Sequence, residues 1–178
     1  ANGTVFCSGL DMRQRASAPS GASGIEKMLY AIECYPLPVV GIVQGDGKIP
    51  YTADALKLRD ENRAAAVEND PEVKCYLPGI PRANYMDKPF QIFHSDKAVF
   101  FAYEYAGAVR NVFLEDPGEA PLDSWMGQSY GKWEGDTFVV EVTGLLQDTW
   151  LDRSGNHHGY ATKVIERWTP ISDHHMRY

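Results

Sequence analysis

The stretch SWMGQSYGKWEGDTFVVEVTGLLQDTWLD, Ser124 to Asp152, contains a β-hairpin complete with its turn, its buried face and its exit. Gly135 and Asp136 separate two strand-like runs, and glycine first in a two-residue loop suits a type II′ turn, whose twist matches the flanking strands. That turn sets Glu134 opposite Thr137, Trp133 opposite Phe138 and Lys132 opposite Val139. Side chains alternate along a strand, so Trp133, Phe138, Val140 and Val142 share one face and Lys132 and Glu141 the other. The first face is built for a core. An aromatic pair directly across the ladder adds about 0.2–1 kcal/mol over alanines and holds the register.

Working outward, the same grammar repeats. Phe90 to His94 and Ala98 to Tyr105 flank Ser95-Asp96-Lys97, which predicts a hairpin whose second strand is covered on both faces. Val109 to Glu115, Ser129 to Glu134, Thr137 to Thr143 and Ala161 to Thr169 complete six short runs joined by turn signals. The expected fold is mainly β, an antiparallel sheet curled into a sandwich or partial barrel. Residues 71–178 form this β domain. Residues 1–70 read as an irregular arm with one or two short helices, a docking segment. Within it, Arg13 to Gly24 is small, polar and aperiodic, as a tether would be. Ile25 to Cys34 has helical spacing and stops at Pro36 and Pro38. Ala53 to Val67 predicts a second helix with Thr52 as N-cap and Pro71 beyond its end. Its apolar stripe is thin, so it should lie on the surface or contact a partner.

At 178 residues the chain fits one domain, large enough to bury a substantial core. It carries 17 Lys and Arg against 24 Asp and Glu, a net charge of −7. That balance argues against nucleic acid or anionic lipid as the main partner. The apolar runs are too short to span a bilayer. Three cysteines, Cys7, Cys34 and Cys75, leave at least one unpaired within the chain, and their spacing does not suggest structural zinc. The chain begins with Ala1, the start that removal of an export signal would leave.

Five motifs carry a resemblance over residues 70 to 178: KCYLPGIPR (Lys74 to Arg82), KPFQIF (Lys88 to Phe93), YEYAGAVR (Tyr103 to Arg110), SWMGQSYGKWEGDT (Ser124 to Thr137) and TWLDRSGNHH (Thr149 to His158). Together they resemble a family of uncharacterised, exported, β-rich bacterial proteins. The resemblance implies a periplasmic or extracellular location and a β-rich body, and it brings no catalytic residues with it. It also implies further strand sequence after Tyr178, so His175 to Tyr178 reads as a strand left incomplete, open to a partner strand.

Chemistry is sparsely written. An acid/base reading uses His158 with Asp152 as its orienting carboxylate and Glu104 as a second acid. The bland reading makes Asp152 a turn residue, His158 a hydrogen-bonded loop side chain and Glu104 a solvated strand residue. The histidine pairs lack metal-ligand spacing, and the glycines form no nucleotide-binding pattern, so neither a metal nor a cofactor is expected. Trp125 and Trp150 lie in loop-like segments and are the candidates for ligand contact. The leading expectation is an exported, non-catalytic accessory or binding subunit that docks onto a larger extracytoplasmic or membrane-associated assembly or onto copies of itself. The alternatives are a small-molecule hydrolase, lyase or isomerase using His158 and Asp152, and a carrier of an apolar ligand.

Overall fold

The computed structural model describes residues 2–4, 38–40, 49–172 and 175–178. The tether and the first predicted helix lie outside these residues, as do Cys7, Cys34, Asp173 and His174. Near the start, β1 (Asn2–Thr4) pairs antiparallel with β2 (Pro38–Val40).

The hairpin forms in the expected register. β6 (Gln128–Glu134) and β7 (Thr137–Thr143) pair Glu134 with Thr137, Trp133 with Phe138 and Lys132 with Val139. Gly135 has φ +61°, the positive angle a type II′ turn needs at its first central residue, while Asp136 is not in the left-handed region. Phe138 is fully buried, and the Trp133 and Phe138 rings lie 5.0 Å apart.

Around this hairpin a seven-stranded sheet curls into a half-barrel in the order β3-β4-β5-β6-β7-β8-β9. β3 (Phe90–His94), β4 (Ala98–Tyr103) and β5 (Val109–Phe113) form an antiparallel meander. β8 (Val164–Ser172) continues from β7, and β9 (His175–Arg177) closes the order. β4 and β5 end two residues earlier than the sequence predicts, at Tyr103 and Phe113, and two larger details differ as well. The sheet is mixed, because β5 and β6 run parallel. The chain travels from Leu114 to Gly127 between them, and a parallel pair requires a crossover of about that length where a hairpin would turn at once. β8 begins at Val164, three residues later than expected, because Thr162 N–H closes a turn on Gly159 O at 3.1 Å.

The concave side holds the core, in which Ile92, Val99, Phe101, Val112, Phe138, Val140, Val142 and Trp168 are buried. Gly131 on β6 belongs to this face: a Cβ there would come within 2.7 Å of Val112 Cγ1 and closer still to the Phe138 ring. The missing side chain makes room for that ring.

α1 (Ala53–Ala64) begins at Thr52, whose Oγ1 accepts a hydrogen bond from Ala55 N at 3.4 Å. Asp54 in its first turn and Arg63 in its last favour the helix dipole. None of its residues is buried, in line with its thin stripe. After a break at Ala65 the short α2 (Ala66–Asn69) follows, and Asp70 caps a 3-10 turn over Pro71–Lys74 through Glu72 N at 2.9 Å. α1 rests on the 155–157 loop. Asn62 donates to Gly155 O at 3.3 Å, and the Tyr51 ring stacks on His157 at 4.9 Å. The Tyr51 hydroxyl accepts from His157 N at 2.8 Å and donates to His157 O at 2.7 Å.

Candidate functional site

Alternation along β5 and β8 places two charges on the core side. Arg110 shares its face with Val112, and Glu166 shares its face with Val164 and Trp168. Both are almost fully buried, and Arg110 Nη2 pairs with Glu166 Oε2 across the concave face. A charge taken from water is tolerated only with a partner and hydrogen bonds for its remaining groups. Arg110 Nε donates to Ser129 Oγ at 2.8 Å, and its guanidinium carbon lies 5.4 Å from the centre of the Phe101 ring. Burial alone would lower the pKa of Arg110, but the charge and hydrogen bond of Glu166, with the nearby Tyr103 and Tyr178, together outweigh it and the net displacement is upward.

Glu166 Oε1 gathers two further donors, Asn84 Nδ2 and the Tyr178 hydroxyl, the latter at 2.9 Å. Asn84 stands in the 3-10 turn Arg82–Asn84, donates to the Tyr178 oxygen at 3.1 Å and accepts from the Tyr103 hydroxyl at 2.7 Å. Burial, with the Glu166 charge adding to it, raises the Tyr178 phenol well above its ordinary value, and burial likewise raises Tyr103. Both phenols therefore stay protonated and donate. The Tyr178 ring packs on Trp168 with centroids 4.3 Å apart. Two buried donors of this cluster, Arg110 Nη1 and Trp168 Nε1, have no hydrogen-bond partner among the described residues.

A second ionic chain runs along the segment leading into the sheet. Asp70 takes both Arg82 terminal nitrogens at 2.8 Å each, Arg82 Nη2 also reaches Glu72 at 2.6 Å, and Glu72 receives Arg153 at 2.8 and 2.5 Å. The Arg153 hydrogen bonds, opposed by partial burial and helped by the Arg82 charge, hold the Glu72 carboxyl below the usual carboxylate range.

Of the residues singled out from sequence, Trp150, Asp152 and His158 share the 149–159 loop, where Trp150 bridges to His157 and Leu151 N donates to Asn156 O, while Glu104 and Trp125 lie elsewhere. His158 is 8% exposed, with Nε2 on Thr149 Oγ1 at 2.5 Å and Nδ1 on Gly159 O at 3.1 Å. Asp152 accepts from Ser154 N at 2.7 Å and from Asn156 Nδ2 at 2.6 Å, organising its own turn. Glu104 is exposed at the end of β4, where its backbone N–H donates to Pro89 O at 3.0 Å. Trp150 is buried and bridges to His157, whereas Trp125 is half-buried and packs on the exposed Tyr76 ring at 5.1 Å. Trp125 and Tyr76 form a small aromatic surface step. Among the described residues, no group of three or more His, Cys, Asp or Glu is placed to hold a metal ion.

The outer face of the sheet divides in two. On β6 to β8 it carries charge: Lys132, Glu134 and Arg167 form an ion-paired cluster, and Glu141 pairs with Lys163 at 2.6 Å. Val139, between Lys132 and Arg167 in the ladder, is only 6% exposed, consistent with cover from long charged side chains. On β3 to β5 the same side presents Phe93, Phe100, Ala102, Val109 and Phe113, with the exposed Gln91 and Asn111 among them. Phe93 is 51% exposed, Val109 61% and Phe113 40%.

No family model, no curated protein and no solved structure matches the chain. Among the described residues, no helix is long and apolar enough to cross a membrane.

Proposed function

We propose that this chain is a non-catalytic binding subunit of an extracytoplasmic protein assembly, and that it docks through the outer face of β3 to β5. One observation carries the reading: Phe93 on β3 and Val109 and Phe113 on β5 stand in solvent on either side of β4, on the side of the sheet where the other half carries ion pairs. Several large apolar side chains exposed on one sheet face mark a candidate interaction site. The first occupant is a second copy of the chain. The charged half flanking the patch carries both signs, Lys132, Lys163 and Arg167 with Glu134 and Glu141, so two copies related by a twofold axis can set opposite charges against each other around stacked apolar faces.

The resemblance to exported bacterial proteins supports the location. His158 and Asp152 hydrogen-bond to other residues of the 149–159 loop and not to each other, which weighs against their acting as an acid/base pair. A photo-crosslinking residue placed at Phe93 is expected to join two copies, while the same probe at Glu141 on the charged half gives no dimer. Crosslinking only at Glu141, or at neither position, contradicts the assignment.

A further inference from the structure

We infer that the polar and aromatic cluster of Trp168, Glu166, Asn84 and Arg110 is a binding site for a neutral phenol, held in this structure by the chain's own Tyr178. The grip on that side chain has the form of a ligand contact. An indole packs against the ring at 4.3 Å, a carboxylate accepts the hydroxyl proton at 2.9 Å, and an amide donates to the same oxygen at 3.1 Å. The acceptor is itself held by the buried Arg110, so it is oriented before any occupant arrives.

The strand bearing this occupant is weakly attached. The register of β9 against β8 shifts between Pro170 and Ser172, and Pro170 opposite Met176 has no N–H to give to the ladder. The Tyr178 side chain is thus better secured than the strand that delivers it. The unpartnered Arg110 Nη1 and Trp168 Nε1 add a second observation. Each is a buried donor without an acceptor, so an occupant whose neutral oxygen reaches one of them gains where Tyr178 does not. A carboxylate is disfavoured, because Glu166 already neutralises Arg110 and a second buried anion would be unpaired.

This site lies on the concave side and does not rest on the docking face. The probe is p-cresol, a tyrosine side chain without its backbone, with toluene as the match lacking the hydroxyl. In full-length Tyr178→Ala, p-cresol should quench tryptophan emission and raise the thermal midpoint, binding about tenfold more tightly than toluene through its hydrogen bond to the charged acceptor. The unaltered chain should bind it at least about tenfold less tightly, because the tethered phenol competes at high effective concentration. Tyr178→Phe, which keeps the ring in place, should also bind it poorly. Equal effects of p-cresol and toluene on Tyr178→Ala, no effect of either, or binding by Tyr178→Phe as strong as by Tyr178→Ala would each overturn the inference. If Tyr178→Ala is unfolded alone, recovery of its near-ultraviolet signal with p-cresol but not toluene supports the site, and failure to recover contradicts it.

Discussion

The two halves of the half-barrel, β3 to β5 and β6 to β8, build their concave sides alike and their convex sides in opposite ways. Inside, each contributes buried aromatic and branched residues, and one ion pair, Arg110 to Glu166, ties the first half to the second. Outside, β6 to β8 meets water mainly with paired lysines, arginines and glutamates, Ile165 being its exposed apolar residue, while β3 to β5 meets it with Phe93, Val109 and Phe113 beside the polar Gln91 and Asn111. One sheet thus displays both solutions to the same problem. The charged half is what this chain puts against water, and the contrast gives the apolar half a reason to be covered.

The largest expected effect comes from breaking the tie between the halves. Arg110→Ala or Glu166→Ala leaves an unpaired buried charge and should lower the free energy of unfolding by about 3–5 kcal/mol in a denaturant titration. A loss as small as that of a surface pair would mean the charge reaches water. Next, Gly131→Ala forces a methyl group against Phe138 and Val112 at the seam, with an expected cost of about 1–3 kcal/mol. Neutral behaviour would mean the core there is loosely packed.

Smaller still is an acid effect in the segment leading into the sheet. Glu72 is held below the usual carboxylate range when folded, so its contribution is present above that range and disappears as pH falls through the folded value. Arg153→Ala should therefore destabilise the chain near neutrality and lose that effect at low pH. A difference independent of pH would remove Glu72 from the account. Smallest of all, Glu134→Ala on the charged outer half should leave the thermal midpoint unchanged, since its partners Lys132 and Arg167 stand in solvent.

The hairpin was legible because its information is local: Gly135-Asp136 sets the turn, and alternation sets which of Trp133, Lys132 and Phe138 point inward. The helix after Thr52 was legible for the same reason, through its cap. The parallel pairing of β5 with β6 was not, because a long connection carries no local sign of the strand its end will meet. Nor was the buried cluster recognised, although it left a trace. Arg110 falls on the parity of Val112 and Glu166 on that of Trp168, two opposite charges on inward positions of separate strands. Pairing them needed the curl of the sheet, which no local pattern states. Asn84 and Tyr178 arrive from outside the regular strands and left no periodic signal at all.

The central claim is that the apolar half of the outer face is covered by a second copy. Sedimentation velocity over a range of concentrations, on the unaltered chain and on Phe93→Ser/Phe113→Ser, tests it most directly. The expected result is reversible dimerisation of the first, and a folded monomer for the second with unchanged far-ultraviolet dichroism. A monomer at every concentration for the unaltered chain, or dimerisation undiminished by the two serines, would contradict it.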